Sequence, residues 1–353
     1  MFLLMIYRID NKDKDDPHIN LALEEFCLRN LTPNRSYVLL YVNRPAVIIG
    51  RHQNILQEVN LRFTEQAGLP IIRRITGGGT VFHDFGNLNF SFIHAYNRRS
   101  LANVRQTIAP IRTALAEMGV PAVFNHKNDL FVADRKISGN AQFSNTKRFL
   151  VHGTLLFDSN LVHLQRALNA QAGHITSMAR KSVQSGVTNI SLYLKNSFDL
   201  KEFRKRLLET VAGLCGGMKT MHLEDNQWQA IERLSQEKYR SWDWNYGKAP
   251  VFQINRLGHN SAGRLGYLME VENGCITAIR FEKEGTVFVE QTMIEDRLAG
   301  VPFRREAIRA RLNKLNSKVF GWRLTAEQVA DLLTADLGQT NKPVLQTPHR
   351  DLF

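Results

Sequence analysis

The sequence predicts an α+β protein in which mixed sheets are flanked by helices. Short runs of β-branched and aromatic residues alternate with longer stretches that have the periodicity of amphipathic helices. Hydrophobic residues make up 43% of the chain, which is enough for a substantial core. The length of 353 residues suggests two domains at roughly 100 to 200 residues each.

The first elements follow from their local signals. A helix is predicted at residues 17–30, because Asp16 is a suitable N-cap, Pro17 suits the first helical position and an apolar stripe follows. Strands are predicted at 37–42, 46–49, 70–72, 80–82 and 88–93. A helix at 103–118 is ended by Gly119 and Pro121. Further strands are predicted at 120–124, 130–133, 136–138 and 149–157.

The second half of the chain predicts a domain boundary. Helices are expected at 198–214 and 226–240, after which the aromatic, Gly- and Pro-containing stretch 242–250 interrupts the periodicity. We therefore expect a larger domain over residues 1–245 and a small α+β domain over 246–353. In the smaller domain, Asn273-Gly274 predicts a hairpin with a type I′ turn, and helices are expected at 290–299, 304–315 and 325–337.

Composition excludes several classes of protein. Apolar runs such as residues 37–42 are strand-sized, whereas a membrane span needs about 20 apolar residues. Charged residues follow the apolar start at once, which argues against a secretory leader. The three cysteines are far apart and lack metal-ligand spacing, so we expect reduced thiols in a cytoplasmic protein without a zinc site.

The basic charge is concentrated in the larger domain. Residues 1–245 carry 31 basic and 21 acidic side chains, and residues 246–353 carry 15 and 12. This excess favours an anionic partner such as a nucleotide, a nucleic acid or an acidic protein, without choosing among them. The densest basic stretches follow helical faces, and no nucleic-acid-binding motif is present, so nucleic acid is the least supported of the three.

Three consecutive glycines, Gly77, Gly78 and Gly79, separate two predicted strands. Glycine permits close approach of backbone N–H groups to a ligand, and the preceding Arg73 and Arg74 have the geometry to bind phosphate or carboxylate oxygens. A plain turn with solvated arginines is an equal alternative, because the run is neither a Walker motif nor a dinucleotide-binding motif.

A second group of polar residues comprises Asn128, Asp129, Lys136 and His152. Lys136 opens a short predicted strand, and a lysine fixed by a sheet can neutralise a carboxylate and a phosphate that must meet. A surface lysine is the alternative. Asp129 is a candidate to bind a metal ion or a ribose, with a simple turn residue as the alternative. His152 is expected to be a hydrogen-bonded core histidine.

These motifs together resemble the lipoate-protein ligase A and lipoyltransferase family. The resemblance covers nearly the whole chain and rests on six motifs in order, at residues 50–54, 73–84, 128–130, 135–141, 151–156 and 181–189. It implies a catalytic domain like those of biotin ligases and class II aminoacyl-tRNA synthetases, with a small C-terminal accessory domain. It further implies that lipoate and ATP form lipoyl-AMP, with Mg²⁺, before the lipoyl group passes to a lysine of an acceptor protein.

The resemblance also implies roles for individual residues. Lys136 is the expected catalytic residue, in contact with the lipoate carboxylate and the α-phosphate. The nucleotide would be contacted by Lys136, Arg74, Gly79, Thr80, Val81, Phe82, Asn128 and Asp129. Lipoate would also be contacted by Gly77 and Gly78. The loop that closes over the adenylate would contain Lys181, Ser182, Val187 and Asn189, and no metal ligand is identified.

Two chemistries remain open within this family. The first is complete ligation from free lipoate, and the second is transfer from preformed lipoyl-AMP or another activated lipoyl or octanoyl donor. Gly186 stands where an arginine is common in the adenylate loop, which keeps the second reading open. The implied acceptors are the lipoyl domains of 2-oxoacid dehydrogenase E2 subunits and the glycine cleavage H protein.

Overall fold

A computed structural model describes residues 5–96, 104–168, 170, 174–182, 185–260, 263–283, 289–314 and 325–334 of the chain. Within these ranges, no helix is both long enough and apolar enough to cross a membrane. The predicted α+β class is confirmed, since mixed sheets are flanked by helices.

A six-stranded sheet forms the centre of the larger part. Its strands lie in the order β10-β11-β6-β2-β1-β13, antiparallel from β10 to β2 and parallel from β2 to β13. Their bounds are β1 Ile6–Ile9, β2 Ser36–Val42, β6 Asn87–Ala95, β10 Asn140–Ser144, β11 Arg148–Leu156 and β13 Met218–Met221. The predicted runs at 37–42, 88–93 and 149–157 are therefore strands, whereas β1, β10 and β13 had no predicted counterpart.

Helices cover both faces of this sheet. Val38 and Leu40 of β2 pack against α4 (Val104–Glu117) and α6 (Leu200–Leu214). Tyr37, Leu39 and Tyr41 point to the opposite face and share a core with α1 (Pro17–Asn30) and α7 (Asp225–Leu234). This alternation is the period of two expected of a strand buried on both sides. Asp16 caps α1 by accepting a hydrogen bond from His18 N, as predicted.

Two small sheets lie beside the central sheet and position the candidate site. One has the order β4-β3-β5, and the other has the order β7-β8-β9. Their bounds are β3 Ala46–Ile49, β4 Ile71–Arg73, β5 Val81–His83, β7 Val123–Phe124, β8 Leu130–Val132 and β9 Arg135–Ser138. The strand predicted at 120–124 is wrong except for its last two residues; Pro121 has no N–H to donate to a ladder. Short helices follow β3 and β11, namely α2 Ile55–Glu58, α3 Leu61–Gln66 and α5 Leu161–Ala167.

The C-terminal part builds an antiparallel sheet in the order β12-β14-β15-β16. Its bounds are β12 Ile175–Ser177, β14 Phe252–Asn260, β15 Gly263–Glu272 and β16 Cys275–Lys283. The predicted hairpin is confirmed, with positive φ at Asn273 and Gly274 as a type I′ turn requires. Helices α9 Val289–Leu298, α10 Arg305–Leu312 and α11 Ala326–Thr334 complete it. The predicted ends of the last two helices, at 315 and 335–337, lie outside the described residues.

The junction between the two parts is more structured than the sequence suggested. A short helix, α8 (Trp242–Asn245), forms where only an interruption was predicted, because the Ser241 side chain accepts a hydrogen bond from Trp244 N. Strand β12 precedes the junction in sequence and yet pairs with β14. The two parts therefore share one sheet, and the division at residues 245 and 246 stays a proposal.

Candidate active site

One cavity of about 760 Å³ brings the separate motifs together. This volume lies in the range of about 300 to 1,000 Å³ typical of ligand pockets. The predicted site residues that line it are Arg74, Gly77, Gly78, Gly79, Thr80, Val81, Asn128, Asp129, Lys136, Lys181 and Ser182. Phe82, Val187 and Asn189 are not among the lining residues.

The triple-glycine loop connects β4 to β5 and is held from inside by Arg74. The Arg74 Nη2 atom donates to the carbonyl oxygens of Gly77 and Gly79, each at 2.7 Å. The Arg74 side chain also donates to Ile48 O and Thr76 Oγ1. Burial lowers the pKa of Arg74 to about 10, opposed by the nearby Glu24, so the guanidinium is charged at neutral pH. Arg74 thus brings a positive charge to the cavity while ordering the loop.

A close backbone contact between Gly50 and Gly78 positions the other side of this loop. A Cβ atom on Gly50 would lie 2.1 Å from the Gly78 carbonyl oxygen. Gly78 itself has a φ of +88°, a conformation that favours glycine. The backbone of residue 50 can approach residue 78 this closely because residue 50 has no Cβ atom, and glycine at position 78 is suited to the positive φ.

Arg73 does not contribute to the cavity. Its buried guanidinium donates to the carbonyl oxygens of Gly50, Gln53 and Asn245 at 2.7 to 3.0 Å. It therefore ties the 50–53 segment to α8. Of the two arginines offered by the sequence, only Arg74 belongs to the site.

Lys136 lies on β9 with its ammonium group facing Asp129. The Lys136 Nζ to Asp129 Oδ2 distance is 2.9 Å, and Asp129 Oδ1 accepts a hydrogen bond from Asn140 N at 3.2 Å. Asn128 adopts a φ of 69° in the preceding turn, and its side-chain oxygen accepts from Arg105 Nε. Gly139 leaves room for the lysine, since a Cβ there would lie 3.0 Å from Lys136 Nζ.

The segment at 181–189 meets the site at two points. Ser182 contacts the glycine loop, with Thr80 N donating to Ser182 Oγ at 3.0 Å. Further along, Lys136 N donates to Gly186 O and Thr188 N donates to Lys136 O, which pairs Val187 with Lys136. Asn189 exchanges hydrogen bonds with the backbone of Ser159. Val183 and Gln184, which belong to this motif, lie outside the described residues.

Phe82 is placed in the core. Its side chain is 1% exposed and packs in the cluster that also holds residues of β3 and β14. A nucleotide can therefore meet only the backbone at this position, and the predicted contact remains untested.

A buried polar chain behind the glycine loop was missed by the sequence analysis. His152 Nε2 lies 2.8 Å from Thr76 Oγ1, and His152 Nδ1 lies 2.8 Å from Glu24 Oε2. His152 is hydrogen-bonded as expected, but it also lines the cavity. No sequence signal pointed to Glu24, which is 128 residues away from its partner.

His83 closes the cavity beside Tyr41 and Asn89. Its Nδ1 atom lies 2.9 Å from Asn43 Nδ2, and its Nε2 atom has no hydrogen-bond partner among the described residues. Burial, together with the positive charge of Arg74, lowers the pKa of His83 to about 3. The imidazole is therefore neutral at physiological pH.

The electrostatics of the cavity favour an anionic ligand. Lys136, Arg74 and Lys181 line it, and Asp129 is the only carboxylate among its described lining residues. The described part of the chain contains no group of three or more residues suited to hold a metal ion. The cavity has cations for phosphate and carboxylate oxygens beside an apolar end formed by Leu21, Ile48 and Tyr41.

Fold and site together define an α+β protein built around one cavity that has both cationic and apolar walls. The chain belongs to the lipoyl protein ligase A/B family. Its catalytic-domain model matches residues 16–212, and the model of the bacterial lipoate protein ligase C-terminus matches residues 249–333.

Named relatives cover almost the whole chain. The lipoate-protein ligase LplJ of Bacillus subtilis is 38% identical over 92% of this chain and 99% of its own length. Lipoate-protein ligase 1 of Staphylococcus aureus is 38% identical over 83% of this chain and 89% of its own length.

Solved structures show the same fold. A bipartite lipoate protein ligase from Thermoplasma acidophilum, studied with its E2 lipoyl domain, has a TM-score of 0.60 at 21% identity. It covers 69% of this chain and 97% of its own. A lipoate-protein ligase A bound with ATP has a TM-score of 0.57 at 22% identity, covering 70% of this chain and 98% of its own.

Proposed function

We propose that this protein is an ATP-dependent lipoate-protein ligase that performs both half-reactions in the cavity around Lys136. In the first, the lipoate carboxylate attacks the α-phosphorus of ATP, pyrophosphate leaves, and lipoyl-AMP is formed. In the second, the ε-amine of an acceptor lysine attacks the lipoyl carbonyl and AMP leaves. The observation that carries the proposal is the meeting of Lys136, Asp129 and the Arg74-ordered glycine loop in one cavity.

The main barrier to the first half-reaction is repulsion between two anions, carboxylate and phosphate. Cations fixed in a partly enclosed site lower such a barrier because they require little reorganisation as charge develops. Lys136 is fixed through its backbone, which bonds to Gly186 O and Thr188 N on either side. Its ammonium group is held 2.9 Å from Asp129 on the cavity wall. Arg74 supplies a second positive charge behind the loop.

No protein nucleophile is required by this chemistry. Among the described residues, no cysteine lines the cavity, and the Thr76 hydroxyl that contacts His152 is fully buried and is not part of the cavity wall. An acyl-enzyme route through cysteine therefore has no residue to use here. For the second half-reaction, we assign Lys136 to polarise the lipoyl carbonyl after pyrophosphate has left.

We propose that Mg²⁺ enters with the triphosphate. Mg²⁺ is usually bound by one or two carboxylates together with substrate phosphates, and Asp129 fits this pattern as the single carboxylate in the described cavity wall. Asp129 would hold the ion, which would neutralise phosphate charge. Lys136 would orient the carboxylate and the α-phosphate, and Arg74 would add positive charge from behind the loop.

We further propose the partners and the setting of the reaction. The family relationship supports lipoyl domains of E2 subunits as acceptors, and we extend this to the glycine cleavage H protein. The basic excess of residues 1–245 would favour encounter with an acidic acceptor. The three free cysteines fit a reducing cytoplasm. We assign residues 1–245 to catalysis and 246–353 to an accessory domain.

Acceptor modification tests this proposal. The purified protein is incubated with ATP, Mg²⁺, free lipoate and an apo lipoyl domain, and the acceptor is analysed by mass spectrometry. We expect the acceptor to gain one lipoyl group, with one pyrophosphate released for each group transferred. An unmodified acceptor in the presence of all four components would contradict the proposal.

A further inference from the structure

Glu58 makes a contact with Ser182 that the proposed mechanism does not use. Glu58 is the last residue of α2 and is 6% exposed. Its Oε1 atom accepts from Ser182 N at 3.0 Å, and its Oε2 atom accepts from the Ser182 hydroxyl. One buried carboxylate thus binds both donors of a serine that is 124 residues away.

The Ser182 hydroxyl oxygen in turn holds the glycine loop. It accepts from Thr80 N and from Gln53 Nε2, each at 3.0 Å. Gln53 Oε1 then accepts from Thr80 Oγ1 and from Gly50 N, each at 2.9 Å. Because the Ser182 hydroxyl donates its hydrogen to Glu58, the lone pairs of its oxygen are free to accept from these donors.

Gly79 permits this approach. A Cβ atom at position 79 would lie 2.9 Å from Ser182 Oγ and 3.4 Å from Ser182 Cβ. The neighbouring Arg180 N also donates to His52 O at 3.1 Å. Residues 180–182 are therefore fastened to the 50–53 segment and to the glycine loop, which lines the cavity.

These residues form part of the cavity wall. Arg180, Lys181 and Ser182 all line the cavity, whereas Glu58 does not. With the wall in position, the cavity still has about 760 Å³, which is sufficient for a nucleotide joined to a short acyl chain. The fastened arrangement is thus compatible with an enclosed ligand, and its release would remove the wall beside the triple glycine.

We propose that Glu58 is a positioning residue that fastens Ser182 against Gly79 and Thr80 and so retains the acyl-adenylate between the two half-reactions. This inference rests on the proposed function, because it concerns the intermediate of that reaction. Glu58 acts through Ser182 and has no contact with the substrate. Its loss shortens the residence time of the adenylate without removing any group that reacts.

Retention of preformed lipoyl-AMP tests the proposal without requiring the ATP-dependent step. The protein is loaded with synthetic, radiolabelled lipoyl-AMP, separated from free ligand, and followed as the label dissociates. Glu58→Gln and Ser182→Ala are each expected to raise the dissociation rate at least tenfold. The double variant is expected to match Ser182→Ala, because Glu58 acts through Ser182. Glu65→Gln, on the exposed face of α3, is the matched control and should retain label as the wild type does.

If Glu58 only stabilised the fold, variants that fold would release lipoyl-AMP at the wild-type rate. Glu58→Gln is nearly isosteric, and thermal unfolding checks that each variant folds. Unchanged dissociation rates in both folded single variants would overturn the proposal, as would a double variant whose effect equals the product of the two. Failure of the wild type to bind lipoyl-AMP would overturn the proposed function and this inference together. Retention by the wild type without activation of free lipoate would leave the Glu58 role standing and contradict only the ligase.

Discussion

The ammonium group of Lys136 lies 2.9 Å from the Asp129 carboxylate on the wall of the cavity. Both residues belong to the small β7-β8-β9 sheet and its turns, and the backbone of Lys136 is tied to the 186–188 segment. The ion pair therefore connects the residue proposed for catalysis to the carboxylate proposed for Mg²⁺. Entry of a phosphate would exchange one anionic partner of Lys136 for another.

Removal of the Lys136 amine is expected to stop adenylate formation. Lys136→Ala should lower the rate of lipoate-dependent pyrophosphate release by at least about a factor of 100 to 1,000, the range for loss of one transition-state contact. The melting temperature should change little, since the side chain is one quarter exposed. Lys147→Ala, an exposed lysine in the β10–β11 turn, is the control. Near-normal adenylate formation by Lys136→Ala would remove the residue from the mechanism.

Arg74 is expected to matter for stability as well as for binding. Arg74→Met leaves the carbonyl oxygens of Gly77 and Gly79 without their shared donor, and an unsatisfied buried polar group costs about 1–3 kcal/mol. We expect the free energy of unfolding in urea to fall by about 2–4 kcal/mol, with weaker ATP binding. Arg233→Met, an exposed arginine of α7, should change neither quantity. Wild-type ATP affinity in a folded Arg74→Met protein would show that the loop does not depend on this side chain.

Two glycine substitutions should change the free energy of unfolding in opposite directions. Gly50→Ala places a Cβ 2.1 Å from the Gly78 oxygen, so the loops must separate and both stability and ATP affinity should decrease. Gly213→Ala lies in α6 with no atom within 4 Å of the new Cβ. It should raise stability by about 0.5–1 kcal/mol, because alanine favours a helix. Isothermal titration and urea unfolding measure both effects, and equal behaviour of the two variants would contradict the close contact at Gly50.

His83 predicts a pH dependence of stability. Burial lowers its pKa in the folded state to about 3, from 6.5 in the unfolded chain. Above pH 6.5 His83 is neutral in both states and does not lower the free energy of unfolding. As the pH falls from 6.5 towards 3, the free energy of unfolding decreases, because only the unfolded state takes up the proton. The slope approaches about 1.4 kcal/mol per pH unit. Urea unfolding at pH 7, 6 and 5 should show a shallower decline for His83→Gln than for the wild type. Identical declines would mean that His83 is protonated equally in both states.

The sequence predicted most elements because their burial patterns are regular. The two faces of β2 and the stripe of α1 are visible as apolar periods. Strand β10 was missed because Asn140–Ser144 is a partly exposed edge strand with little apolar content. Strand β1 was missed because Ile6–Ile9 is short and its pairing with β2 and β13 depends on residues far along the chain.

The residues of the candidate site also fall into two groups, those that the sequence identified and those that it did not. Residues in local motifs, such as Lys136 and the triple glycine, were found because motif chemistry is encoded in adjacent positions. Glu24 and Glu58 were missed because their roles arise from partners more than 120 residues away. The sequence identified Arg74 as a site residue. It could not predict that the guanidinium binds carbonyl oxygens of its own loop, because that contact exists only once the loop has folded.

Lipoate-dependent exchange of radiolabelled pyrophosphate into ATP, without any acceptor, tests the central claim most directly. This exchange requires reversible formation of lipoyl-AMP and is independent of the second half-reaction. We predict exchange by the wild-type protein with Mg²⁺ and free lipoate, and none when lipoate is omitted. Absence of exchange, together with transfer of the lipoyl group from supplied lipoyl-AMP to an acceptor, would contradict the account and make the protein a transferase.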